Sequence, residues 1–193
     1  MFKKAVKIIL LLSAMVGLAA GTVSAQKAPS EYEVKAAFLY NFIKFVEWPT
    51  NAFPAKDSPI VIGVLGSDPF LDSSSSANYL EQAIAGKSIE ERKVIVRHLE
   101  RTANLKDCQL LFVSASEKSH LKEILDGLRG DPVLTVSETD NFCEQGGIIN
   151  FIKQSGKVRF EINPGVAEQG QLKISSRLLN VAKIVSAQPR KNP

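Results

Sequence analysis

The 193-residue chain predicts an α/β fold: a three-layer sandwich of flavodoxin-like or Rossmann-like type, with a mostly parallel sheet and an antiparallel hairpin at one edge. Three observations carry this. Short, continuously apolar runs such as Ile60-Val61-Ile62-Gly63-Val64-Leu65 and Leu110-Leu111-Phe112-Val113 have the composition of strands covered on both faces. Segments with apolar residues three and four apart separate them, and strands alternating with helices imply parallel pairing through crossovers. Late in the chain the alternation gives way to two strand-like runs, 147–152 and 157–162, around Lys153-Gln154-Ser155-Gly156, the pattern of a hairpin.

Taken in order, the elements begin with a leader. Lys3, Lys4 and Lys7 precede an apolar run from Ile8 to Ala20, and Val23-Ser24-Ala25 places small residues where a signal peptidase reads. The run is shorter than the roughly 20 apolar residues that span a bilayer. Residues 1–25 are therefore expected to be a signal peptide cleaved after Ala25, leaving a single domain over 26–193 with a frayed tail at 188–193. Three of the 24 basic residues leave with the leader and none of the 20 acidic ones, so the remainder is near +1. That balance argues against nucleic acid as a partner and against stable membrane insertion.

Residues 31–47 predict an aromatic-rich helix, with Ser30 and Glu33 spaced as a capping box and Pro49 disfavouring helix at Trp48. A strand over 60–65 leads into Gly66-Ser67-Asp68-Pro69-Phe70, a loop, and a short helix near Tyr79 to Ile84. Lys93 to Leu99 alternates as a strand nearer an edge does, 109–114 is a buried strand, and Leu121, Ile124, Leu125 and Leu128 mark a helix ended by Gly130. Pro132 to Val136 is a fourth strand. After the hairpin, Leu172, Ile174, Leu178, Leu179, Ala182 and Val185 indicate a closing helix, with Ser175 or Ser176 as cap. Gly147, ahead of the hairpin, is expected to serve a tight or special backbone conformation.

Chemistry is sparse. The glycines of Gly63-Val64-Leu65-Gly66 fall short of a phosphate-binding fingerprint and read as a turn, and Ser114-Ala115-Ser116 reads as a strand-to-helix turn with its cap. His98 and His120 have no partners at metal-ligand spacing. Arg159 and Glu161 share one face of the hairpin, which favours a surface ion pair. No catalytic residue, metal ligand or cofactor is indicated. Cys108 precedes one strand and Cys143 follows the next, so a strand length separates them and no intrachain bond is expected. As an unbridged pair they are the candidate redox residues. The aromatic helix is the first candidate for an interaction surface, through Phe38, Tyr40, Phe45 and Trp48, the last being the only tryptophan. The closing segment with Arg159, Glu161 and Arg177 is the second.

Two stretches resemble a known family. Residues 32–42 (YEVKAAFLYNF) with Phe45-Val46-Glu47-Trp48-Pro49 are similar to the opening signature of the YfiR-like periplasmic proteins. Gly146-Gly147-Ile148-Ile149-Asn150-Phe151, Val158-Arg159-Phe160-Glu161-Ile162-Asn163 and residues 172–179 (LKISSRLL) resemble its closing signature. The resemblance implies a periplasmic repressor of an inner-membrane diguanylate cyclase of YfiN type, sequestered in turn by an outer-membrane OmpA-like lipoprotein of YfiB type. It thereby implies control of cyclic-di-GMP and biofilm formation, and leaves a homodimer open. The alternative is a periplasmic small-molecule-binding sensor module serving another membrane receptor, its ligand at the carboxyl edge of the sheet.

Overall fold

The computed structural model describes residues 28–186; the expected leader, its cleavage position and the tail at 188–193 lie outside them. Helix α1 spans Glu31–Lys44 and opens on the expected capping box: the Glu33 amide donates to Ser30 Oγ at 3.2 Å, and the Glu33 carboxylate accepts from the Ser30 amide. It buries Ala36, Leu39, Phe42 and Ile43. The helix stops before the predicted 47. Val46–Glu47 instead forms strand β1, paired antiparallel with Lys173–Ile174 (β9), and the Phe45 carbonyl accepts from the Ser175 amide at 2.8 Å. A distant strand thus takes over the backbone groups that one more helical turn would have bonded.

The main sheet has eight strands. In chain order these are β2 (Ile60–Leu65), β3 (Ser88–Ile89), β4 (Arg92–Leu99), β5 (Leu110–Val113), β6 (Leu134–Ser137), β7 (Ile149–Gln154), β8 (Lys157–Ile162) and β10 (Lys183–Ile184). Their spatial order is β10-β8-β7-β6-β5-β2-β4-β3. The stretch β4-β2-β5-β6-β7 is parallel throughout, with the first of these strands flanked by the second and third, as in flavodoxin-like folds. All six residues of β2 are buried, which accounts for their unbroken apolar run. The β7–β8 hairpin turns on Ser155 and Gly156 at φ +50° and +74°, the two left-handed residues of a primed turn.

The parallel sheet separates two cores. On one face α1, α2 (Tyr79–Ile84) and the segment around α4 (Pro164–Gln169) pack over Ile62, Val64, Phe112, Val136, Phe151 and Phe160. On the other, α3 (Leu121–Gly127) packs over Leu65, Leu111 and Val113, with Phe142 completing that cluster. The crossover from β4 to β5 carries a single 3-10 turn, Leu105–Asp107, where a doubly wound sheet ordinarily places a helix.

Four expectations need correction. The closing helix is not continuous: the segment divides into β9, a single turn α5 (Ser176–Leu179) and β10. Leu172 and Ile174 are two apart because the chain is extended there, Leu172 just before β9 and Ile174 within it, and only 178–182 follow helical spacing. Ser175 does cap the turn, accepting from the Arg177 amide at 3.3 Å. The hairpin is not the sheet's edge, since β10 pairs in parallel outside β8. Glu161 is no surface residue but is 5 % exposed, because β10 covers it. Gly147 is not in the left-handed region; its need for glycine is spatial, as a Cβ there would fall 2.1 Å from Phe142 Cε1.

Candidate functional site

In a sheet of this order, ligands ordinarily bind beyond the carboxyl ends of β2 and β5, where the strand order reverses. Here the chain's own side chains occupy that crevice. Gly66, at φ +86°, leaves β2, and a Cβ on it would lie 2.4 Å from Ser116 Oγ and 2.9 Å from Glu117 Cγ. Ser116 Oγ accepts from the Ser67 amide at 3.0 Å, and Ser114 Oγ accepts from the Ser116 amide at 3.4 Å. Both motifs singled out in the sequence therefore meet at one point, as a turn and a cap. Glu117 beside them faces Arg101 Nε at 3.4 Å and His120 Nδ1 at 3.8 Å. His98 lies at the end of β4, 3.5 Å from Asp68 and 3.7 Å from Glu81, with half its side chain exposed. Among the described residues, no group of three or more His, Cys, Asp or Glu is placed to hold a metal ion.

The aromatic candidates are largely committed to packing. The Phe38 ring lies 5.8 Å from Phe42, 5.4 Å from Phe160 and 6.2 Å from Phe151, so it joins α1 to the hairpin. Tyr40 carries Lys87 Nζ at 4.4 Å over its face, a cation–π contact. Phe45 and Trp48 are half-buried against the same core. The Trp48 indole N–H is buried with no hydrogen-bond partner among the described residues.

The β1–β9 pairing brings the two candidate stretches together in part. It aligns Val46 with Ile174, so the Phe45–Trp48 exit lies beside the segment that carries exposed Arg177. Arg159 and Glu161 are elsewhere. Phe160 and Ile162 of β8 face the α1 core, so their odd-numbered neighbours face away from it. On that face the Glu161 carboxylate accepts from Asn150 Nδ2 at 3.3 Å and pairs with Lys183 at 3.2 Å. The seven candidates do not form one patch.

Sequence reasoning missed two features. Val181 (65 % exposed) and Ile184 (53 %) stand out from the β10 margin. They escaped notice because a closing helix would have turned neighbours of this segment inward. The other is a buried cation. Lys35, 5 % exposed, contacts Glu31 at 2.6 Å and Glu138 at 2.5 Å and lies over the Tyr32 ring at 4.7 Å. Tyr32 also donates to Glu138 at 3.2 Å, and Glu31 reaches Lys153 at 2.9 Å. Burial alone would lower the Lys35 pKa, but the two carboxylates outweigh it and hold the ammonium above its ordinary value. The Glu31 carboxyl is held below its own, chiefly by its bond to Lys35 and then by that to Lys153. The signal available in the sequence was Glu31-x-x-x-Lys35, an i,i+4 pair.

Cys108 and Cys143 are separate free thiols, 2 % and 0 % exposed. Burial pushes the Cys108 pKa up to about 11 and raises that of Cys143 further, so both stand as thiols, not thiolates. Cys143 Sγ lies 3.4 Å from the Ile148 carbonyl.

The profile of the YfiR/HmsC-like family matches residues 32–183, from the first turn of α1 into β10. No curated protein matches the chain. With a match over most of its length, the chain belongs to the YfiR/HmsC-like family.

Proposed function

We propose that this YfiR/HmsC-like protein is a periplasmic regulator that represses an inner-membrane diguanylate cyclase by binding its periplasmic sensor domain, without catalysis. Repression lowers cyclic-di-GMP and, with it, biofilm formation. An outer-membrane OmpA-like lipoprotein relieves it by sequestering the regulator. The family match over residues 32–183 carries this reading. The leader at 1–25 supports export, and no helix of the described residues is long and apolar enough to cross a membrane. The crevice where this fold class ordinarily binds small molecules is filled by Ser116 and Glu117, which favours the regulatory reading over a sensor with its ligand at the sheet's carboxyl edge.

The β1–β9 junction, with Phe45, Trp48 and Arg177, is the first surface for the cyclase, since it joins half-buried aromatics to the segment that carries an exposed arginine. The purified chain from Gln26 onward should bind the isolated periplasmic domain of a membrane diguanylate cyclase from the same genome. Deleting the gene should raise cyclic-di-GMP only in cells that keep that cyclase. No binding, together with unchanged cyclic-di-GMP on deletion, would overturn the proposal.

A further inference from the structure

Where the β4–β5 crossover lacks a helix, the face of the sheet beside α3 is left with a notch. The loop after β4 and the inner side of α3 enclose a groove of about 240 Å³. Leu105, Ile124 and Leu128 supply its apolar lining, and Arg101, Lys106 and His120 its polar one. Glu123 is the only carboxylate among the lining residues. Lys106 is steadied by Asp131 at 3.0 Å, and Arg101 places its Nε 3.4 Å from the Glu117 carboxylate. Its two terminal nitrogens make no hydrogen bond among the described residues, and these form the fork that grips carboxylates and phosphates bidentately.

Gly127 also lines the groove. It is the last residue of α3. Neither its backbone conformation nor its surroundings require glycine: it is not in the left-handed region, and a Cβ there would meet nothing within 4 Å. Glycine here adds no side chain to the groove, and its face stays open to a ligand.

From the groove, the guanidinium fork and the open Gly127 face, we infer that this protein has a binding site for a small organic anion with a flat apolar body. The anionic head pairs with Arg101 and Lys106, and the body lies on Leu105, Ile124 and Leu128 over Gly127. A space of this volume holds about eight water molecules' share of liquid, enough for one substituted aromatic ring. The site is on the opposite side of the sheet from α1, and the inference stands independently of the regulatory reading.

The test is a titration of the chain from Gln26 onward with phenyl phosphate, followed by amide chemical shifts. Saturable shifts at Leu105, Gly127 and Leu128, weakened by about tenfold or more in Arg101→Gln and absent in Gly127→Phe, are expected. Gly127→Phe should keep the parent melting temperature to within about 3 °C, because its Cβ has open space. Inorganic phosphate alone should bind far more weakly, since it leaves the apolar floor uncovered. The inference is overturned if shifts fail to saturate by about 10 mM. It is equally overturned if inorganic phosphate binds as well as the ester, or if a folded Gly127→Phe binds like the parent. Should Gly127→Phe not fold, Arg101→Gln decides alone: that side chain is 54 % exposed, and undiminished binding refutes the site.

Discussion

Replacing Gly147 by alanine tests the packing of the second core at a single atom. A Cβ there would sit 2.1, 2.2 and 2.6 Å from Cε1, Cδ1 and Cζ of Phe142, against an ordinary contact of about 3.5–4 Å. The ring or the backbone must therefore move by about 1.5 Å. The ring has nowhere to go: Phe142 is fully buried in the cluster of Leu65, Leu111, Val113, Leu121 and Val133. The backbone is also held, since the Gly147 amide donates to the Phe142 carbonyl at 2.9 Å and closes the loop on itself. Overpacking of a tight core costs about 1–3 kcal/mol, and a trapped aromatic ring places this case at the upper end. For a domain of this size that is a fall in melting temperature of about 4–10 °C. Urea unfolding and calorimetry measure it, with Gly165→Ala as comparator. There the nearest atom to a new Cβ is Asn163 Oδ1 at 3.6 Å, an ordinary contact, and the shift should be within about 0.5 kcal/mol. Adding Phe142→Leu to Gly147→Ala should recover part of the loss, so the two changes couple favourably by about 1 kcal/mol. If Gly147→Ala melts with the parent, the argument from Phe142 is wrong.

Three further outcomes follow from other parts of the molecule. Lys35→Met should destabilise by about 3 kcal/mol, because it strands the Glu138 carboxylate, whose side chain is only 14 % exposed. The same change alters the pH dependence. The lowered Glu31 pKa contributes stability above its unfolded value of 4.5 that is lost as pH falls, and the raised Lys35 pKa contributes stability below 10.5 that is lost as pH rises. Unfolding curves of Lys35→Met should be flatter at both ends, and parallel curves would refute the assignment. Both cysteines should resist iodoacetamide in the native protein at pH 8 and react once unfolded, as burial and the Cys108 pKa of about 11 require; a Cys108–Cys143 linked peptide from unreduced monomer would contradict this. N-terminal sequencing of the exported protein should begin at Gln26, and an intact N-terminus in the membrane fraction would show that the leader is not removed.

What was legible in the sequence was what neighbours decide. The Ser30–Glu33 capping box, the burial of β2 and the hairpin around Lys153-Gln154-Ser155-Gly156 each depend on neighbouring residues and read from spacing alone, although the turn itself is only Ser155-Gly156 because Lys153 and Gln154 extend β7. What escaped is what distant segments decide. The end of α1 is set by Ile174, and the breaking of the closing segment by pairing with β1 on one side and β8 on the other. Glu161 looked like a surface residue because its alternation with Arg159 is correct; only Asn150 and Lys183 reveal that it is enclosed. The candidate surface divided for the same reason, since Arg159 and Arg177, both near the C-terminus, end on different faces of the fold. The groove beside α3 had no signal beyond a missing helical period between Leu99 and Leu110.

The β1–β9 pairing also bears on the order in which the chain acquires its structure. It joins Val46 to Ile174, and α1 rests through Phe38 and Phe42 on Phe151 and Phe160 of the hairpin. A chain that emerges N-terminus first therefore offers its longest helix well before the hairpin and β9, which cover its aromatic face and its end, exist. The central parallel strands can assemble around α3 in the meantime, while α1 waits as an amphipathic segment with its aromatic face bare. Loops that span most of a chain are slow to close, so this joint should be among the last contacts to form. During that interval α1 is the part of the molecule most open to capture by chaperones, proteases or a second unfinished chain. Shortening the chain before residue 173 would make the interval permanent.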